Sequence, residues 1–253
     1  MLEDELEAAT AAARQAGAEV ARMRAEGLRY GHKEGYELVS EADIRAADIL
    51  REALANAFPG TGWLSEEDRD TAARLDCERV WVVDPIDGTR EYLRGLPEYA
   101  ISVGLVVRGE PALGVVYNPA TEEMHAAVCD PPGGPPRKAG EGQYLALVGH
   151  GEDRLNEVPP LPGLSRTQPV GSVAYRLALV AAGKGDLVVT WHPRSEWDVA
   201  AGAALCRARG ITITDVLGAP LQFNQPRPLV RGLIAAPPDL HARVRSYFAE
   251  ISE

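Results

Sequence analysis

Positive charge is scarce in this 253-residue chain: 26 lysines and arginines face 37 aspartates and glutamates, a net charge of −11. Nucleic-acid binding rests on basic patches, so a nucleic-acid polymer is not the expected partner. Long apolar runs are also missing. No stretch approaches the roughly 20 residues of a membrane span, which argues against a transmembrane protein. The segment Met1 to Leu6 is acidic and lacks the basic and apolar regions of a signal peptide. Cysteine is limited to Cys77, Cys129 and Cys206, an odd and scattered set with no Cys-x-x-Cys. Disulfides and a thiolate metal site are therefore disfavoured, and a reducing cytoplasm is the expected location. The five histidines contain no His-x-x-x-His, which disfavours zinc hydrolysis, and they read as surface or packing residues. There is no Gly-x-Ser-x-Gly elbow and no phosphate-binding Gly-x-x-x-x-Gly-Lys-Ser/Thr loop, so Gly183-Lys184-Gly185 reads as a helix stop.

Apolar residues, 45% of the chain, suffice for a sizeable core, in one large domain or two closely joined halves. Leu2, Leu6, Ala9, Ala13, Ala16, Val20 and Met23 recur at three- and four-residue steps and predict a long amphipathic helix. Ser40 predicts the N-cap of a second helix ending at Pro59-Gly60. Apolar stretches over 101–107, 112–117 and 124–128, separated by turns at Arg108-Gly109-Glu110 and Asn118-Pro119, predict successive strands. The segment 130–142, with four prolines and four glycines, reads as a loop. Beyond it, strands are expected over 144–148, 186–190, 211–216 and 229–235, with helices over 172–182, 195–209 and 238–251. The fold class is mixed α/β without internal repeats. The loop suggests two halves, 1–135 (α+β) and 136–253 (α/β).

The densest chemistry lies between Trp81 and Thr89. A short apolar strand delivers Asp84 and Asp87 at its exposed end, and Pro85 stiffens the turn between them. Gly88 permits an unusual backbone angle before a helix-like run from Arg90 to Arg94. Hard oxygen ligands beside helix-terminal N–H groups suit a magnesium ion shared with a phosphate. Each element also has a plain alternative. Asp-Pro and Asp-Gly are ordinary turn dipeptides. Asp43 and Asp198 each stand three residues after a serine and could be no more than helix caps.

Asp84-Pro85-Ile86-Asp87-Gly88-Thr89 resembles a signature of the inositol monophosphatase family of lithium-sensitive, magnesium-dependent phosphatases. Glu196-Trp197-Asp198-Val199-Ala200-Ala201-Gly202 resembles that family's second signature. Leu64-Ser65-Glu66-Glu67 is similar to its acidic strand end, and Val39-Ser40-Glu41-Ala42-Asp43 to a further segment. The resemblance implies a layered α-β-α-β-α phosphatase fold. It implies that Glu66, Asp84, the Ile86 carbonyl, Asp87 and Asp198 bind Mg2+. Glu66 would also take part in catalysis, and Asp43 would orient a nucleophilic water through the Thr89 hydroxyl. The resemblance also places Lys33, ten residues before Asp43, near the outer metal site, where a solvated lysine is the plain alternative. It makes Glu67 a further candidate beside Glu66, in what could be a solvated acidic loop. Asp87, Gly88, Thr89 and Asp198 would also meet the substrate. In Gly171-Ser172-Val173-Ala174-Tyr175-Arg176, Arg176 would hold a second phosphate and Tyr175 would stack on a base; alternatively the segment is a helix face with one buried aromatic.

The implied activity is a phosphomonoesterase acting on a small phosphorylated substrate; a homodimer is compatible with it. Leu64-Ser65-Glu66-Glu67 and Asp87-Gly88-Thr89-Arg90-Glu91-Tyr92 look more like the 3'(2'),5'-bisphosphate nucleotidase branch than the inositol phosphatase branch. The expected substrate is therefore 3'-phosphoadenosine 5'-phosphate. An inositol-1-monophosphatase, another sugar or histidinol phosphate phosphatase, and a catalytically idle phosphate sensor are the alternatives. Gly149-His150 stands where the family pattern has Ser-Arg, a departure in the region expected to select substrate.

Overall fold

The computed structural model describes residues 2–27, 30–32, 38–129, 133–138, 143–155 and 164–251. The first part of the chain forms α1 (Leu2–Glu26), β1 (Tyr30–His32), β2 (Leu38–Ser40), α2 (Glu41–Ala57), β3 (Gly62–Ser65) and β4 (Arg79–Asp87). It continues with α3 (Thr89–Leu93), β5 (Ala100–Val107), β6 (Glu110–Asn118) and β7 (Glu123–Val128). The second part forms β8 (Tyr144–Val148), α4 (His150–Arg154), β9 (Leu164–Pro169), α5 (Val173–Ala181), β10 (Leu187–Thr190) and β11 (Arg194–Ser195). It closes with α6 (Glu196–Ala208), β12 (Thr212–Thr214), β13 (Leu229–Val230), β14 (Leu233–Ala236) and α7 (Pro238–Ile251).

Two five-stranded sheets carry the architecture, in the orders β3-β4-β5-β6-β7 and β12-β14-β10-β8-β9. Their apolar faces define the layers. Ala9, Ala13, Ala16 and Val20 of α1 pack with Leu50 and Leu54 of α2 against Val83, Val103 and Val115 of the first sheet. The other face of that sheet meets α5 and α6 through Val82, Val116, Leu177 and Ala201, and the same helices reach Val188 and Ala235 of the second sheet. Leu240 and Val244 of α7 cover the outer face of the second sheet. The result is the expected α-β-α-β-α layering, which follows from every sheet face being apolar enough to need a helical cover.

Two departures from the expected elements have clear causes. The strand expected over 229–235 divides into β13 and β14, because the chain turns at Gly232 with φ of +68°. The polar segment 164–169 forms β9, parallel to β8 at the edge of the second sheet. An edge position tolerates a polar sequence ending in proline, so periodicity gave no signal there.

Candidate active site

The site starts from a break in β4. Up to Asp84 this strand pairs regularly with β5, with Asp84 opposite Ser102; pairing then shifts and resumes at Asp87 opposite Ala100. Such a bulge re-aims side chains at a strand end, and here it presents both carboxylates. Asp84 is also held by the Ile86 N–H, which donates to its Oδ1 at 3.0 Å. Gly88 follows with φ of +96°, and an added Cβ would stand 3.0 Å from the Glu98 carbonyl oxygen. Only glycine meets both conditions at this entry to α3.

Asp198 arrives from the other direction, on the first turn of α6. That helix lies so close to the first sheet that a Cβ at Gly114 would be 2.1 Å from the Ala201 carbonyl oxygen. Ser102 Oγ of β5 donates to the Trp197 carbonyl at 3.0 Å, anchoring the helix start beside Asp84. The Ser195 N–H donates to Asp198 Oδ2 at 3.3 Å, so Asp198 caps its helix and still faces the cavity. Carboxylate oxygens of Asp84, Asp87 and Asp198 all lie within 4.8 Å of one another.

These charges are costly to hold together. Burial, and then Glu66, Asp87, Asp198 and Asp43, raise the Asp84 pKa well above the ordinary carboxylate range. Burial, and then Asp87 and Glu66, do the same for Asp198. Burial raises Asp87 as well, against the opposing pull of Ser172, Ala174, Arg176 and Arg194. An oxygen-only set of mutually repelling carboxylates, Asp84 and Asp87 buried and Asp198 half-buried, fits a hard divalent cation, which would relieve the repulsion and take oxygen ligands.

Asp43 and Thr89 meet in the same region. Thr89 Oγ1 lies 2.9 Å from Asp43 Oδ1 and 3.0 Å from the Ile86 carbonyl oxygen, so its single proton can go to either. The other Asp43 oxygen is committed to the α2 cap: Oδ2 accepts from the Ser40 N–H at 2.8 Å and the Ser40 hydroxyl at 2.5 Å. The two readings of Asp43 are thus compatible, one per carboxylate oxygen. Asp87 is divided similarly, since its Oδ2 accepts from the Ser172 hydroxyl and the Ala174 N–H, both at 2.6 Å. The start of α5 thereby fixes a carboxylate that belongs to β4.

A cavity of about 490 Å³ opens onto this cluster. Its lining includes Glu66, Asp84, Ile86, Asp87, Gly88, Thr89, Arg176 and Asp198. Glu67 is half-buried on the neighbouring loop but outside that lining. Lys33 lies outside the described residues. Tyr175 requires a correction. It is 8% exposed, packs in the core between the sheets, and donates its hydroxyl to Glu123 Oε2 at 2.5 Å rather than reaching the cavity. Adjacent helical residues point about 100° apart, so Tyr175 and Arg176 cannot share one direction.

Arg176, only 1% exposed, lines the cavity as part of a buried network. Glu152 Oε2 accepts from Arg176 at 2.8 Å and from the Gly149 N–H at 2.6 Å, and its Oε1 accepts from Arg194 at 2.9 Å. Burial alone would raise the Glu152 pKa, but Arg176, Thr190, Gly149 and Arg194 outweigh it and bring it down to about 2.

Sequence reasoning missed a second wall of the cavity. Arg90 from α3 and Arg94 from its C-terminal cap, His150 and Arg154 from α4, His192 and Arg194 also line it. Among the described residues, Arg90, Arg94 and Arg154 make no ion pair. The sole signal was the unusual Gly149-His150 pair, and reading the histidines as surface or packing residues overlooked His150.

The inositol monophosphatase family model matches residues 1–253 of this chain. The chain is similar to the 3'(2'),5'-bisphosphate nucleotidase CysQ of Salmonella typhimurium, 31% identical over 78% of this chain and 84% of that protein. It is similar to the inositol-1-monophosphatase of Mesorhizobium japonicum, 36% identical over 72% and 73% of the two chains. Among solved structures, the extragenic suppressor protein suhB from Bartonella henselae superposes with a TM-score of 0.80 at 27% identity, covering 96% of this chain and 97% of that one. The chain belongs to the inositol monophosphatase family, whose members are metal-dependent phosphomonoester hydrolases.

Proposed function

We propose that this family member is a Mg2+-dependent phosphatase of 3'(2'),5'-bisphosphate nucleotides, converting 3'-phosphoadenosine 5'-phosphate to AMP and phosphate. One observation carries the reading: a single cavity combines a buried carboxylate cluster with arginines that make no ion pair among the described residues. A monophosphate of a neutral polyol needs only the first feature. A substrate with a second phosphate uses both. One charge-assisted contact to that phosphate contributes about 1.5–3 kcal/mol, a preference of roughly ten- to a hundredfold.

Glu66, Asp84, the Ile86 carbonyl, Asp87 and Asp198 would hold Mg2+, which when bound offsets the phosphate charge and lowers the pKa of water. The chain's own residues do the rest. Asp43 accepts from the Thr89 hydroxyl, which leaves the Thr89 oxygen lone pairs to take a proton from the attacking water. Water oxygen bonds to phosphorus as the ester P–O bond breaks; the water's proton passes to Thr89 as the Thr89 proton passes to Asp43, and the departing 3'-oxygen takes a proton from a solvent water. The amides at Gly88 and Thr89 begin α3, where N–H groups lack partners within the helix and suit phosphate oxygens. The location would be cytoplasmic; among the described residues no helix is long and apolar enough to cross a membrane.

A second reading, inositol-1-monophosphatase, is favoured by the 36% identity to the Mesorhizobium enzyme. Phosphate release at one magnesium concentration separates the two. The expected result is a higher kcat/KM for 3'-phosphoadenosine 5'-phosphate than for inositol 1-phosphate, fructose bisphosphate or histidinol phosphate. A preference for the inositol ester overturns the nucleotidase reading.

A further inference from the structure

We propose that His150, in its protonated form, binds the second anionic group of the substrate, and that Glu98 orients it for this role. The proposal rests on the bisphosphate reading above. His150 Nε2 lies 2.5 Å from Glu98 Oε2. That carboxylate is itself fixed, since the Gly171 N–H donates to the same oxygen at 3.1 Å and the Ser172 N–H donates to the Glu98 carbonyl at 3.2 Å. His150 lines the cavity and Glu98 stands behind it; 37% of the His150 side chain is exposed, against 25% for Glu98.

A carboxylate can only accept, so the Glu98 contact keeps a proton on Nε2 whether the ring is neutral or charged. The remaining ring nitrogen, Nδ1, is then the atom that gains or loses a proton. In the neutral ring it offers a lone pair, which repels a phosphate oxygen. In the charged ring it offers an N–H with a positive charge, which binds one. The same side chain therefore switches from acceptor to donor with a single proton.

The charged surroundings support an anion as occupant. From α3 and its C-terminal cap, Arg90, Glu91 and Arg94 line the cavity with His150; from its own helix α4, Glu152 and Arg154 do so; from α5 and β11, Arg176 and Arg194; and His192 stands between β10 and β11. Glu152 is engaged by both Arg176 and Arg194 and does not compete for the imidazolium. Burial raises the pKa of Glu91, which weakens it as a counter-charge. Arg94 and Arg154 add positive field, which favours an arriving phosphate and leaves Glu98 as the anion stabilising the charged ring. An entering phosphate adds further negative charge and draws a proton onto Nδ1, so anion binding and proton uptake are linked.

The test compares kcat/KM for 3'-phosphoadenosine 5'-phosphate and adenosine 3'-phosphate, at fixed magnesium, at about pH 6 and about pH 8.5. In the wild-type protein the preference for the bisphosphate is expected to fall about tenfold with rising pH, the value of one charge-assisted contact. Ionisation of the 5'-phosphate itself, with a pKa of about 6, works in the opposite direction, so the substrate cannot produce this fall. His150→Arg should keep the preference high and flat across pH. His150→Ala should leave it low and flat. Glu98→Gln removes the charge behind the ring and should move the fall to lower pH. A wild-type preference equal at both pH values, or a pH dependence that survives in His150→Ala, overturns the role of His150 and leaves the bisphosphate reading intact. No bisphosphate preference at either pH, with inositol 1-phosphate the better substrate, overturns that reading and this proposal together.

Discussion

The two walls of the cavity are built in different ways. Its acidic wall comes from short, continuous stretches: the β4 bulge carries Asp84 and Asp87 within four residues, and the first turn of α6 carries Asp198. Its basic wall is assembled from single residues of α3, α4, α5 and β11. Electrostatics separates them further. The acidic wall crowds like charges and gains by protonation or by binding a cation, whereas Glu152 gains by staying ionised between two arginines. The first is incomplete without a ligand. The second holds Glu152 between Arg176 and Arg194, while its Arg90, Arg94 and Arg154 make no ion pair among the described residues.

The largest effect tests the acidic wall. Asp84→Asn is expected to lower phosphatase turnover by orders of magnitude while the fold persists. It should also raise the melting temperature of the chelated protein near neutral pH, because it removes one of the mutually repelling charges. Asp84 and Asp198 bind protons more tightly folded than unfolded, so their contribution is greatest below the ordinary carboxylate pKa and is lost as pH rises through their raised values. Melting curves with and without Mg2+ should therefore diverge more at pH 8 than at pH 5. Wild-type turnover in Asp84→Asn would remove the acidic wall from the chemistry altogether.

Thr89→Val comes next. Positioned proton transfer commonly contributes about 10²- to 10⁴-fold in rate, and the variant should lose kcat on that scale with little change in the Mg2+ concentration needed for half-maximal activity. Asp43→Asn should show a similar loss plus a weakened α2 cap, since one Asp43 oxygen serves each purpose. An Asp43→Asn protein that is less stable yet fully active would reduce Asp43 to its capping role.

Against these, the basic wall should respond in stability with the opposite pH slope. Glu152→Gln leaves Arg176 and Arg194 short of an anion, and breaking a buried pair in this way costs about 3–5 kcal/mol. The folded Glu152 pKa of about 2 lies below its ordinary 4.5, so its stabilisation is present above that ordinary value and fades as pH falls toward 2. Urea titrations of wild type and variant should accordingly converge in acid. Curves that remain parallel from neutral pH into acid would show that the network is not held by the Glu152 charge.

How far each wall was legible in the sequence follows from its construction. Asp84, Asp87 and Asp198 announce themselves because a strand end and a helix cap place their neighbours by local geometry, and the helix and strand periods of α1, α2, β5 and β6 were equally local. The charges of the basic wall carry no spacing that relates them, because tertiary packing alone joins β8 and its short helix to α3 and β11. The edge strand β9 has no local signal for a similar reason: its order comes from pairing with β8 and from the Thr167 hydroxyl, which donates to Asp153 of α4.

The smallest effect concerns the residue that this difference misled. Adjacent in sequence, Tyr175 and Arg176 invite a shared role toward substrate, yet a helix turns about 100° per residue, and of the two Arg176 is the one that reaches the cavity. Tyr175 instead packs its ring in the core between the sheets and points its hydroxyl at the partly exposed Glu123 of β7. Tyr175→Phe should cost about 1 kcal/mol, the usual net value of one hydrogen bond, and Glu123 keeps Lys184 as a partner to soften the loss. Since the ring remains and nothing in the cavity changes, KM for 3'-phosphoadenosine 5'-phosphate should equal that of the wild type. A raised KM at unchanged stability would return Tyr175 to the substrate side and place the base of the nucleotide against α5.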